Sequence, residues 1–342
     1  MERLWPALAH VDTSSGALGR AVDKTVHVLM DMLLSAPAEP EQRDRWLERL
    51  WQAITDHGVD YLREVRERWG ELCGSPEEAS RQADEFLPVL RMSWSGEPGW
   101  YYNGTAPCLS CLLAAGRYQE LLDLIEEAPF LWWHCRRYGV EALRAQGKTD
   151  AAVEYALASQ GFNDPPTPIA VTCEQILLEA GRGDEAYSRF AFDANQAGTH
   201  LATFRALVKK YPWKEPRSIL DDLIKSTPFD PGRWFAAAKT FGFLDLAADM
   251  ALRSPVNIRT LLRAAEDHAS ENTEFAPASA EAALKWMAQG RFYEITNYDV
   301  RKAKRLALEC AERQDRLEAT RSFIQSLIDD ERTDSFVRGH FA

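Results

Sequence analysis

The sequence predicts an all-α chain in two parts, an N-terminal helical block followed by an α-solenoid of antiparallel helix pairs. Two observations predict it. Apolar residues recur at intervals of three and four with no sustained period-two alternation, which puts them on helix faces and leaves no candidate strand. After residue 106 a short glycine-centred segment returns several times, and self-similarity of this kind is the mark of repeat architectures.

The block takes residues 1–95. Ala21 to Leu34 reads as a helix that stops before Pro37 and Pro40. From Arg43 to Thr55, Trp46, Leu47, Leu50, Trp51 and Ile54 make one apolar stripe, with Arg43, Arg45, Glu48 and Arg49 largely off it. Tyr61, Leu62, Val65 and Trp69 make a second stripe. Ser75-Pro76-Glu77-Glu78 announces a third helix, with Ser at the cap, Pro at the first helical position and Glu at the third. Gly96, Pro98 and Gly99 then punctuate a joint over 96–105, where Trp94, Trp100, Tyr101 and Tyr102 are expected to seal the block against the first helix pair. Asn103-Gly104-Thr105 is read as a turn.

Residues 106–330 form the array and 331–342 a C-terminal tail. LLAAGRYQELLDLI at Leu112, LRAQGKTDAAVEYA at Leu143, LLEAGRGDEAYSRF at Leu177 and AKTFGFLDLAADMA at Ala238 share one pattern. An apolar residue stands four places before Gly116, Gly147, Gly181 or Gly242; Leu121, Ala152, Ala186 and Ala247 stand five places after, and Ile125, Ala156, Phe190 and Ala251 nine after. A further copy from Cys310 puts Gln314 in the glycine position, followed by Ala319 and Phe323. The glycine ends one helix in a left-handed conformation, and the small residue beyond it lets the second helix pack closely. One pair cannot bury its apolar face alone, so neighbours must stack. Pro129 and Pro255 mark ends of second helices, Thr203 to Lys210 and Arg217 to Lys225 form an irregular copy, and Asn257 to Gly290 forms another.

The Gly-x-x-x-x-Ala spacing resembles tetratricopeptide-like repeats, most closely around Gly116, Gly147 and Gly181, over roughly Ala106 to Ser326. Arg136 and Glu174 depart from it, falling where the family has small or aromatic core residues. The resemblance implies a concave groove lined by first-helix positions thirteen, ten, six and three residues before the turn. On this chain those positions bring Asn103, Ser110 and Leu113 from the first pair, and His134, Arg137, Glu141 and Arg144 from the second. Gln175 and Leu178 come from the third, Lys239 from the fourth, and Arg301 and Lys304 from the last. Such a set, mostly positive or neutral, suits an acidic or carboxylate-terminated segment of a protein partner, with Arg137 and Arg144 as anchors and Glu141 orienting them.

Composition narrows function further. A net charge of −12, with arginines interleaved among acids, speaks against direct nucleic-acid binding, which needs a basic stripe. No apolar run is long enough to span a bilayer and no leader pattern opens the chain, so a cytoplasmic location is expected. Six dispersed cysteines are expected as reduced thiols. Cys108-x-x-Cys111 with His134 and Cys135 offers a tetrahedral zinc set as the alternative, against which Cys108 and Cys173 both fall eight residues before a turn glycine, a packing position. A redox reading lacks the neighbouring βαβ unit. Packing is likewise the expected role of Trp132 and Trp133. No nucleophile, phosphate-loop or dinucleotide motif is present, so no catalytic residue and no cofactor is assigned. The expected function is an interaction scaffold or adaptor rather than an enzyme. The alternatives are a zinc-stabilised regulator and an acidic mimic that binds a basic nucleic-acid-binding protein.

Overall fold

The computed structural model describes residues 16–55, 62–96, 102–161, 165–270, 274–292 and 294–341, and every regular element among them is helical. The chain divides into two compact units, Met1–Phe190 and Ala191–Ala342.

The first unit opens with α1 (Ala17–Ser35), α2 (Pro40–Thr55), the short α3 (Arg63–Glu67) and α4 (Trp69–Leu72), and α5 (Pro76–Ser95). As the Ser-Pro-Glu-Glu signature predicts, the Ser75 hydroxyl accepts the Glu78 amide at 3.2 Å and caps α5. The stripe carrying Leu62, Val65 and Trp69 is broken at Arg68 into α3 and α4, while Tyr61 lies outside the described residues. Trp69 is central: its ring centroid lies 5.8 Å from Trp51 and 6.4 Å from Phe86, both edge-on.

Three helix pairs follow: α6 (Thr105–Ala114) with α7 (Tyr118–Glu126), α8 (Trp133–Ala145) with α9 (Thr149–Ala158), and α10 (Pro166–Glu179) with α11 (Gly183–Ala194). From α6 to α10 each helix packs on the next, and α6 also meets α8. One apolar cluster runs from Met30 and Trp69 in the N-terminal helices through Leu109 and Leu112 to Leu124 and Tyr138, with Trp94 and Tyr102 packed against it. The N-terminal helices therefore share a core with the first pairs, and the division between compact units does not fall at the 96–105 joint. Gly70 shows why: a Cβ there would sit 2.2 Å from the Ser110 carbonyl oxygen, so the backbones of α4 and α6 are in direct contact. Trp100 and Tyr101 lie outside the described residues.

The second unit comprises α12 (His200–Lys210), α13 (Pro216–Ser226), a 3-10 turn at Pro231–Trp234, α14 (Phe235–Thr240) and α15 (Leu244–Arg253). Then come α16 (Ile258–Asp267), α17 (Phe275–Ala288), α18 (Asn297–Arg313), α19 (Leu317–Asp329) and α20 (Ser335–Gly339). Helix α17 packs on α15, α16 and α18, and α18 packs on α19. Within the C-terminal tail expected from sequence, Val337 and Phe341 are buried, and the Asp334 amide donates to the Ala288 carbonyl at 2.8 Å.

The turns share one geometry. Gly116, Gly147, Gly181 and Gly242 have φ between 71° and 78°. Behind each, the next amide reaches back five residues, from Arg117 to Leu112, Lys148 to Leu143, Arg182 to Leu177 and Phe243 to Ala238, at 2.8–3.0 Å. That is the Schellman closure of a helix C-terminus. The carbonyl of the same residue then accepts from Leu121, Ala152, Ala186 or Ala247, starting the second helix with a fully buried side chain. Such burial contributes roughly 1.5–3 kcal/mol for a large apolar side chain. Ion pairs near the turns, Arg117 with Asp84 and Arg182 with Asp150, lie toward solvent, where water and salt screen them.

The last copy follows the same rule one residue later than the sequence alignment places it. The left-handed residue is Asp315, φ 54°, rather than Gln314, and Arg316 donates to Ala311 at 2.9 Å. Its buried positions are accordingly Thr320 and Ile324, while Ala319 is exposed and Phe323 only half-buried. No helix of the described residues is long and apolar enough to cross a membrane.

Open space surrounds the Cβ position at Gly147 and Gly181, so only backbone strain opposes a side chain there. Gly147→Ala and Gly181→Ala should each cost about 1–2 kcal/mol in urea unfolding, and Asp315→Gly should raise stability by about 1 kcal/mol. Gly70→Ala, which meets backbone, should cost more than either.

Candidate functional site

A cleft of about 590 Å³ in the first unit collects side chains from six helices and from Arg68 at the α3–α4 break. Its first wall is the α3–α4 region, and three hydrogen bonds place it. Gly70 donates its amide to the Ser110 hydroxyl at 2.9 Å, Arg66 donates to the Asn103 side-chain oxygen at 3.2 Å, and the Tyr138 hydroxyl donates to the Glu67 carbonyl at 3.0 Å. These contacts fix Arg63, Glu64, Glu67, Arg68 and Glu71 along one side. Opposite stand Leu113 from α6, Arg137, Tyr138 and Glu141 from α8, and Thr172 from α10; Asp23 and Val26 of α1 complete the lining.

Electrostatics within the cleft are not what the groove positions imply. Five carboxylates, Asp23, Glu64, Glu67, Glu71 and Glu141, face three guanidiniums, Arg63, Arg68 and Arg137, for a balance of −2 among the described residues. Arg68 is tied to Glu71 and Asp31, both at 2.9 Å, and its proton is held above the usual arginine range chiefly by the Glu71 bond. Arg137 is bound to Glu67 at 3.0 Å. Asp23 is exposed and makes no ion pair among the described residues.

Of the groove residues expected from sequence, the structure brings Leu113, Arg137 and Glu141 into this cleft and leaves the others elsewhere. Ser110 is buried beneath α4 and Asn103 is held by Arg66, so neither lines an open groove. Arg144 spans Glu141 at 3.1 Å and Glu179 at 3.0 Å, a strut between α8 and α10 rather than an anchor. Gln175 donates to Glu179 at 2.9 Å. His134 is exposed and stacks on Trp132 with ring centroids 5.2 Å apart. In the second unit Lys239 pairs with Asp267 at 3.2 Å, while Arg301 and Lys304 line a different cleft. Counted from Asp315, the groove positions of the last pair move to Lys302, which pairs with Glu266 at 2.7 Å, and Arg305. Sequence reasoning missed Asp23, Glu64, Glu67, Arg68, Glu71 and Thr172; the dense charge of REVRERWGE (63–71) was the available signal.

The four proposed metal ligands do not converge. Cys108, Cys111 and Cys135 are buried, His134 is exposed, and no group of three or more candidate ligands forms among the described residues. The Cys111 and Cys73 sulfurs lie 3.9 Å apart. Arg136 and Glu174, the departures from the repeat pattern, are both buried; Arg136 pairs with Glu126 and meets the Tyr155 hydroxyl at 3.1 Å. Trp132 is 41% exposed and stacks on Phe130 at 4.1 Å, and Trp133 beside it is half-buried.

Burial pushes the Cys108 and Cys135 thiols up to about 12 and Cys173 to about 11, and raises Cys111 further through its bond with Cys73 and its own burial. The folded chain thus keeps protons that the unfolded chain releases near pH 9, so this contribution is complete below pH 9 and disappears as pH rises toward 12. Urea unfolding should show stability falling above pH 9 by on the order of 1 kcal/mol per pH unit for each such thiol, and Cys135→Val should make the fall shallower.

No protein-family model, no curated protein and no solved structure matches this chain.

Proposed function

We propose that this chain is a protein-interaction scaffold, cytoplasmic and non-enzymatic, whose helix pairs resemble tetratricopeptide-like repeats and stack as an α-solenoid. Its docking site is the first-unit cleft. One observation carries this reading: α6, α8 and α10, three successive first helices, each contribute to the same cleft, with Leu113, Arg137 and Glu141 at three of the groove positions the resemblance implies. A cleft that collects one face of consecutive repeats suits an extended or helical peptide.

The charge balance sets the partner's chemistry. Arg137 already holds Glu67, and Arg144 already holds Glu141 and Glu179, so neither is available to anchor an acidic segment without breaking an internal pair. The excess carboxylates favour a basic segment instead, and the net charge of −12 steers the same class of partner. This charge also supports a narrower reading, an acidic regulator that titrates a basic nucleic-acid-binding protein. Zinc stabilisation has no ligand set to support it among the described residues.

A photo-crosslinking residue placed at Thr172 in the full chain, expressed in its native host, should capture one predominant basic protein. Asp23→Lys with Glu141→Lys should cut that yield by about tenfold while thermal unfolding stays within a few degrees. Equal capture by this variant would remove the cleft as the docking site.

A further inference from the structure

Beyond the first-unit cleft, we propose that the second unit carries a separate site for an acidic peptide segment, in a cleft of about 440 Å³ formed with α18 and α19. Arg301, Lys304, Arg305 and Leu308 line it from one face of α18, spaced at the three- and four-residue intervals that put side chains on a common helix surface. Leu317 and Arg321 of α19 also line it.

The cationic groups here are only partly neutralised from within. Four of them, Arg301, Lys304, Arg305 and Arg321, meet two carboxylates, Glu309 and Glu312, leaving +2 in a chain of net −12. Arg305 lies 3.2 Å from Glu309, and Arg321 lies 3.3 Å from Glu318, which is almost wholly exposed and does not line the cleft. Lys304 donates to the Phe341 carbonyl, an uncharged acceptor. Arg301 is exposed and makes no ion pair among the described residues. An uncompensated guanidinium beside an ammonium is suited to carboxylates, which guanidinium binds through paired donors.

Two further features select a peptide over other anions. Leu308 and Leu317 present apolar surface in the same cleft, one from each helix, which inorganic phosphate would leave uncovered. Glu309 and Glu312 occupy the C-terminal part of the α18 face, where they repel any continuous polyanion such as a nucleic acid. The ligand that satisfies all of these groups has carboxylates at one end, apolar side chains next, and a neutral or basic continuation.

The test uses the full chain and a fluorescein-labelled peptide of three glutamates followed by two leucines, read by fluorescence anisotropy at low salt. Saturable binding should fall about tenfold in Arg301→Glu and in Arg321→Glu, and stay within about twofold in Arg332→Glu, a surface cation outside the cleft. Glu141→Lys in the first unit should leave it unchanged, which separates this site from the other cleft. Arg301 has no internal ion pair to lose, so its variant should unfold at the wild-type temperature; Arg301→Gln provides a milder second substitution. Wild-type protein that does not bind, an Arg301→Glu variant that binds as well as wild type, or a peptide without leucines that binds equally would each overturn the proposal. Displacement of the peptide by millimolar inorganic phosphate would assign the cleft to small anions and overturn it too.

Discussion

Much of the fold depends on one backbone hydrogen bond, from the amide that follows a left-handed residue back to the carbonyl five positions earlier. At Arg117, Lys148, Arg182, Phe243 and Arg316 this bond closes the first helix, while the carbonyl of the same residue opens the second. The two helices are thereby joined through a single residue whose φ and ψ leave little freedom. Leu121, Ala152, Ala186, Ala247 and Thr320 fall at a fixed distance beyond it and are all buried as a result. Exposed ion pairs cannot supply this definition, because each contributes at most about 1 kcal/mol and shares its cations with solvent.

This constraint also explains which parts of the structure were legible in the sequence. Glycine advertises a left-handed turn, since other residues are strained there, so Gly116, Gly147, Gly181 and Gly242 were readable, and the buried residues came by counting. Asp315 does the same work without glycine, and counting from Gln314 moved the whole last pair by one residue. The seating of α3 and α4 against α6 and α8 was not legible. It rests on contacts such as Gly70 with Ser110 and Tyr138 with Glu67, which join residues 40 and 71 positions apart and leave no periodic trace.

The same long-range contacts decide the sign of the candidate site. By first-helix register, Arg137 and Arg144 make a cationic groove. With Glu67 brought to 3.0 Å from Arg137, and Glu179 to 3.0 Å from Arg144, those charges are spent internally and the cleft is left acidic. In the second unit the reverse holds: Lys304 donates to a carbonyl and Arg301 makes no ion pair among the described residues, so their cleft is left with an excess of cations. First-helix register thus picked out only Leu113, Arg137 and Glu141 of the cleft lining, whereas partners distant in sequence determine the charge that the cleft presents.

The shared turn is tested most directly by native-state hydrogen exchange at the amides of Arg117, Lys148, Arg182, Phe243 and Arg316. If the closure bonds define the helix pairs, these five should be protected to within about tenfold of the mid-helix amides in their own unit, although each follows a turn residue. Exchange at the rate of an open loop, at Arg316 alone or at all five, would contradict a common turn geometry.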